Sequence, residues 1–139
     1  MIYRPRKSRR CGALMLECAF VYPLTFMLIL SVIIGGLGVF RYQEVASLAR
    51  EGSRYASVHG ASYQKTTGKA AATAADVYNQ AVLPKAVALD ASQLSCNVTW
   101  NPNNAPGSSV TVTVNYHWIP EAFLPSMNLS STSMVPVIY

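Results

Sequence analysis

The pattern of apolar and polar positions changes twice along the chain and divides it into three kinds of segment. Residues 13–40 are almost wholly apolar, and Glu17 is the one charged residue among them. Beyond Phe40, small and apolar residues recur at helical spacing to about residue 60, and again over about 69–83. After Leu94, apolar residues alternate with polar ones, which is the period of a half-buried strand. The pattern predicts a long helix, a shorter helix and then a sheet.

The apolar segment is long enough to cross a membrane. A spanning helix needs about 20 apolar residues, and residues 13–40 exceed that length. A carboxylate such as Glu17 costs roughly 2.5–3.5 kcal/mol inside a membrane span, and an ionisable residue kept there suggests a function. We therefore predict a transmembrane helix over residues 13–40 and treat Glu17 as a candidate functional residue.

The remainder, residues 41–139, is predicted to form one extracytoplasmic domain. The first helix continues to about residue 60, a loop rich in Ser, Thr and Gly covers 61–68, and the second helix covers about 69–83. Strands are predicted at about 94–100, 109–118 and 128–138, although the pattern of the last one does not identify its buried face. The expected fold class is α+β, with a three-stranded antiparallel sheet packed by its apolar face on the outer half of the long helix.

Positive charge is concentrated at the N-terminus. The chain carries a formal charge of +5 over 139 residues, and five basic residues precede Gly12 with no acidic ones among them. After Gly12 the six basic and six acidic residues balance. Residues 1–12 thus form a basic leader, and a positive-inside signal of this kind predicts a cytoplasmic N-terminus and a single pass. So short a basic run does not favour nucleic-acid binding.

The rest of the sequence offers little catalytic chemistry. The three cysteines and two histidines have no zinc-ligand spacing, and His59 and His117 lie at a helix end and on the polar face of a strand. Cys96 is expected to be a small buried residue. We predict no enzyme activity, no metal, no cofactor and no small-molecule substrate.

Two interpretations of the N-terminus remain open. The apolar region is too long for a conventional secretory signal. In the first interpretation, a prepilin-type peptidase cleaves between Gly12 and Ala13, and the apolar helix later packs into a filament. Glu17, five residues past Gly12, would then pair with the new amine of a neighbouring subunit, since a carboxylate left unpaired there is costly. In the second, the helix is an uncleaved signal anchor, and Glu17 lies near the lipid headgroups.

Two stretches carry a family resemblance. The first is Arg9-Arg10-Cys11-Gly12 followed by Glu17, Ala19, Phe20 and Pro23, and the second runs from Leu48 to Ala56 with the sequence LAREGSRYA. Together they resemble the TadE-like pseudopilins of the tight-adherence (Tad) pilus system, a relative of type IV pili. The resemblance is strong over residues 9 to about 60, although Cys18 stands where an aromatic residue usually follows the Glu.

The resemblance implies a structural minor pilin or pseudopilin of a bacterial Tad-type pilus or secretion system, with a part in cell adhesion. Its partners would be the membrane, other pilin subunits, the prepilin peptidase and an inner-membrane assembly platform. Its location would be the inner membrane, or the cell exterior within a pilus. Gly12 and Ala13 would be the cleavage site and Glu17 the assembly residue. A further set is assigned to helix packing or subunit contact: Phe20, Pro23, Ala49, Arg50, Glu51, Gly52, Arg54 and Tyr55. From the residues alone, a solvated helix face on which Glu51 pairs with Arg54 explains the second motif equally well.

Overall fold

A computed structural model describes residues 10–120 and 125–138. The chain divides into two compact units, residues 1–37 and residues 38–139. Helix α1 (Arg10–Val58) contributes to both units. It begins at Arg10, so the last residues of the predicted leader are already helical, whereas residues 1–9 lie outside the described part of the chain.

Helix α1 is continuous for 49 residues and contains Pro23 in its interior. Proline lacks a backbone N–H and removes one intrahelical hydrogen bond. Downstream of Pro23, the hydroxyls of Thr25 and Ser31 donate to the carbonyl oxygens of Val21 and Met27, one turn back. Such back-bonding satisfies hydroxyl groups without a polar neighbour, which suits a helix in an apolar environment.

The sheet has the predicted antiparallel topology, with strand order β1–β2–β3. Strand β1 spans Leu94–Asn101, β2 spans Ser109–Trp118, and β3 spans Met127–Pro136. Each boundary lies within two residues of its predicted position. The α+β class, the three antiparallel strands and the packing of sheet against the outer half of the long helix are all confirmed.

The pairing register between β2 and β3 shows which face of β3 is turned to the core, which the sequence of β3 does not show by itself. Val112 pairs with Ser133, and Val110 pairs with Val135. Because both valines of β2 are fully buried, their partners on β3 must point to the same side as the core. The hydroxyl of Ser133 accordingly lies 2.8 Å from that of Ser53 on α1. The apolar alternation of β3 is interrupted because Ser131 and Ser133 lie on its inner face between Leu129 and Val135.

The segment between α1 and the sheet differs from the prediction. Helix α2 (Ala61–Thr67) occupies the stretch that was predicted to be a loop, so that prediction was wrong. The hydroxyls of Thr66 and Thr67 donate to carbonyl oxygens one turn back, so both hydroxyls are satisfied within the helix. Gly68 then ends α2 in the left-handed conformation, with φ 71°.

The predicted second helix starts later than residue 69. Thr73 and Asp76 form a reciprocal capping box, which places the first helical residue at Ala74. The helix is short at α3 (Ala74–Asp76), continues as a π-helix over Val77–Val82, and ends as a 3₁₀ turn over Leu83–Lys85. A further 3₁₀ turn, Ala91–Gln93, leads into β1.

The core lies within residues 38–139, where α1, the π-helix and the inner face of the sheet meet. Its fully buried large side chains come from all three: Val45, Leu48, Val77, Val82, Val110, Val112 and Val114. Most of these are valines, and alanines lie among them, because the helices approach the sheet closely at small residues.

Candidate assembly helix and packing motif

The N-terminal half of α1 is the one helix among residues 10–120 and 125–138 that is long and apolar enough to cross a membrane. Its most apolar stretch has no buried residues within the chain. The assignment rests on the length and the apolar composition of the helix. A signal sequence near the N-terminus would meet the same two criteria. This segment is therefore a candidate membrane-spanning helix.

The predicted cleavage and assembly residues all lie on this exposed stretch. Gly12 is exposed and has nothing within 4 Å of the position that a side chain would take. The backbone of Ala13 is helical, and its side chain lies outside the described set. Glu17 and Pro23 are exposed, and Phe20 is 75% exposed. These residues share a helix that leaves them accessible to another molecule.

The second motif, residues 48–56, has one face turned into the core. Leu48, Ala49 and Gly52 are buried there. A Cβ added at Gly52 would lie 3.1 Å from Cγ1 of Val112 and 3.3 Å from Cγ2 of Val82. Gly52 is therefore a point of close approach between α1, the π-helix and β2. Ala49 and Gly52 act in packing within the chain.

The flanking face of the same motif contacts the segment that follows α3. Glu51 forms an ion pair with Lys85, with 2.8 Å between Oε2 and Nζ. The Tyr55 hydroxyl donates to Oε1 of Gln80 at 2.6 Å. One face of α1 thus contacts the 3₁₀ turn through Glu51 and, one turn further along α1, the π-helix through Tyr55. Glu51 was expected to pair with Arg54, but its ion pair in the structure is with Lys85, which sequence spacing along one helix does not reveal.

The charges on this face have measurable electrostatic effects. The hydrogen bond and the charge of Lys85 hold the pKa of Glu51 below its usual value, and Arg54 adds a smaller effect in the same direction. Desolvation, together with the nearby charge of Asp76, raises the pKa of Tyr55. Both shifts come from groups that the fold brings from different segments.

Arg50 and Arg54 remain exposed. They border an open groove between α1 and the edge strand β3, which holds Ser133 and Val135 on its other side. The hydroxyl of Ser53, at the floor of the groove, donates to the Arg50 carbonyl oxygen and meets the Ser133 hydroxyl. Arg50 and Arg54 are the two exposed residues of the second motif.

An aromatic stack at the end of α1 was not identified from the sequence. His59 lies on Tyr55, with ring centroids 4.0 Å apart, and is flanked by Tyr63 of α2 at 4.6 Å. Nδ1 of His59 is 2.9 Å from the carbonyl oxygen of Tyr55. The three rings are spaced four residues apart in the sequence, and this spacing predicts a stack only if the chain is helical up to Tyr63. The stack could therefore have been predicted only if α2 had been predicted as a helix.

Within the described ranges, no three His, Cys, Asp or Glu residues are grouped as metal ligands would be. Cys96 is half-buried, and desolvation raises the pKa of its thiol. His117 lies on the outer face of β2, where Nδ1 is 2.7 Å from Oδ1 of Asn128.

No protein-family model, curated protein or solved structure matches this chain. The fold and the accessible apolar helix are therefore the observations from which a function is argued.

Proposed function

We propose that this chain is a minor pilin or pseudopilin of a Tad-type pilus or secretion system. In this proposal the chain is inserted in the bacterial inner membrane with its N-terminus in the cytoplasm. A prepilin peptidase cuts after Gly12, an assembly platform receives the subunit, and the apolar half of α1 then packs against other subunits. The folded unit faces outward.

One observation supports the proposal above the others. Between Gly12 and Phe40, the exposed half of α1 carries a single charged residue, Glu17, and the same helix continues into a folded unit with its own core. A helix that is both accessible and anchored in a folded unit can join that unit to other subunits. The charge at Glu17 suits pairing with the amine of Ala13 on a neighbouring subunit, and only one axial stagger satisfies both charges.

The first test is the intact mass of the protein extracted from membranes, with and without the prepilin peptidase of the same cell. We expect a form that begins at Ala13 only when the peptidase is present. Gly12→Val is expected to leave the full-length mass in both samples. A full-length wild-type protein in both samples would contradict processing and favour a permanent signal anchor that binds a partner through its outer domain.

The second test addresses Glu17. Removing one partner of a buried ion pair costs about 3–5 kcal/mol, more than about a hundredfold in a subunit contact. Glu17→Ala is therefore expected to insert in the membrane at the wild-type level and to be lost from purified filaments. Glu17→Asp, which retains the charge, is the matched control. Equal recovery of all three proteins in filaments would contradict an assembly role.

A further inference from the structure

The end of the folded unit nearest Gly38 is defined by contacts from the sheet. A Cβ added at Gly38 would lie 2.8 Å from Cζ3 of Trp118, so the last residue of β2 rests directly on α1 there. Trp118 pairs with Met127, the first residue of β3. The sheet therefore ends at the same level at which α1 enters the folded unit.

The turn before β1 lies at this end too. An Arg41 guanidinium N–H donates to the carbonyl oxygen of Ala88 at 3.0 Å and to the Tyr116 hydroxyl at 3.3 Å. The backbone N–H of Ala88 donates to Oε1 of Glu44 at 3.1 Å. Arg41 and Glu44 thus hold the chain around Ala88 against α1. The contact lies less than two turns of α1 beyond Gly38.

This end carries a group of exposed apolar side chains, which we name the apolar rim: Phe40, Val87, Ile119 and Met127. Their exposed fractions are 58%, 89%, 61% and 39%. Single exposed apolar residues are ordinary on protein surfaces. Four around one end of a unit of about 100 residues suggest a surface that meets something less polar than water.

The position of the apolar rim along α1 indicates which less polar surrounding it meets. A span of about 20 residues, or 30 Å, that starts just after Glu17 ends near Leu37. Gly38 is the next residue, and the folded unit begins there. The headgroup layer on each side of the hydrocarbon core is roughly 5–8 Å thick, so residues 38 to about 42 pass through that layer at about 1.5 Å of rise per residue. We propose that the apolar rim is seated in the headgroup layer of the bilayer that α1 crosses.

The seating adds a second membrane contact to the helix itself. Interfacial apolar side chains hold a protein at the boundary between headgroups and acyl chains. Two contacts, the helix and the rim, restrict the tilt of the folded unit and orient its exposed surfaces relative to the membrane plane. The inference goes beyond the proposed function, because a cleaved pilin before assembly and an uncleaved anchor would both be seated in this way.

The chain provides a matched control. Ile119 and Ile138 are the same residue type and are both 61% exposed. Ile138 lies at the other end, where its N–H donates to the carbonyl oxygen of Ser57 at 3.0 Å. Ser57 is 19 residues beyond Gly38 on α1, which corresponds to about 28 Å along the helix axis.

The experiment uses the full chain in vesicles of phosphatidylcholine and phosphatidylglycerol. In three separate samples, Ile119, Val87 or Ile138 is replaced by a small fluorescent amino acid through amber suppression, which leaves the native cysteines in place. Quenching is then measured with lipids that carry a nitroxide on the headgroup, and separately with aqueous iodide. Circular dichroism checks that each protein is folded.

We expect nitroxide quenching at residues 119 and 87 to be at least about twofold greater than at residue 138, and iodide quenching to have the reverse order. Equal nitroxide quenching at residues 119 and 138 would overturn the proposal. Protection of residue 119 from iodide without nitroxide quenching would overturn it also, since that result indicates a protein partner or a second copy of the chain. Neither result bears on cleavage after Gly12, so the two proposals fail independently.

Discussion

Gly52 shows how one residue sets the distance between three elements. It lies on α1 opposite Val112 of β2 and Val82 of the π-helix, and the space for a side chain is already occupied. Valines have stiff side chains and cannot rotate away easily. A glycine in the middle of a helix costs up to about 1 kcal/mol relative to alanine, and here close packing offsets that cost.

Gly52→Val should therefore destabilise the folded unit by about 1–3 kcal/mol, which is typical of an overpacked core. Thermal unfolding followed by circular dichroism in detergent micelles would measure the change. Gly36→Val is the control, because Gly36 lies on the same helix and has no atom of the described residues within 4 Å of the position that a Cβ would take. Equal melting temperatures for the two variants would show that Gly52 has no packing role.

At the scale of elements, one face of α1 holds the irregular segment 77–88 through polar contacts. Arg41 donates to the carbonyl oxygen of Ala88, and Glu44 accepts from the N–H of the same residue. Glu51 pairs with Lys85, and Tyr55 donates to Gln80. These contacts explain how a π-helix followed by a 3₁₀ turn keeps a defined position without a regular hydrogen-bond pattern. The acidic residue of the second motif thus positions a neighbouring segment of the same chain.

The ion pair makes a prediction about pH. Lys85 holds the pKa of Glu51 below its unfolded value, so the pair contributes stability that is present above the unfolded pKa and is lost as the pH falls through the folded pKa. In Lys85→Ala, the pKa of Glu51 should rise, because both effects of Lys85 are lost and only desolvation, which raises the pKa, and the weaker charge of Arg54, which lowers it, remain. A carboxyl-carbon NMR titration would measure this shift. Lys65→Ala, which removes the same charge from α2, should leave the pKa of Glu51 unchanged.

At the scale of the whole molecule, helix α1 has two parts: an exposed apolar stretch, and residues 38–58, which belong to the folded unit. Residues 38–58 of α1 supply Val45, Leu48, Ala49 and Ala56 to the core. They cover the inner face of a sheet that has only three strands. Without them the buried valines of β2 would be open to water, and the free energy gained by burying them would be lost.

Two fragments test this division. A fragment of residues 38–139 should fold and unfold cooperatively in water, because it contains all of the core. A fragment of residues 60–139 should not fold, because it lacks the helix that covers the sheet. Denaturant titrations followed by tryptophan fluorescence would distinguish them. Cooperative unfolding of the shorter fragment would contradict a structural role for the outer half of α1.

Some features of this protein were determined by the sequence itself. The apolar stretch over residues 13–40 and the alternation in β1 and β2 are local patterns, so the helix and the two strands could be predicted from them. The helix over Ala61–Thr67 was not predicted because it buries no residues and so has no apolar stripe, and only the glycine that ends it, Gly68, is a local signal. The late start of the next helix follows from the Thr73–Asp76 capping box, a local signal that was present but not used.

Other features were decided only by tertiary structure. The inner face of β3 follows from its register against β2, since its small hydroxyl residues carry no apolar alternation of their own. The partner of Glu51 lies 34 positions away at Lys85, and the neighbours of Gly52 come from two other elements. Contacts of this kind depend on how elements pack in space. For the same reason Ala49 and Gly52 were identifiable as a small-residue face from the sequence, but their burial in the chain's own core was not.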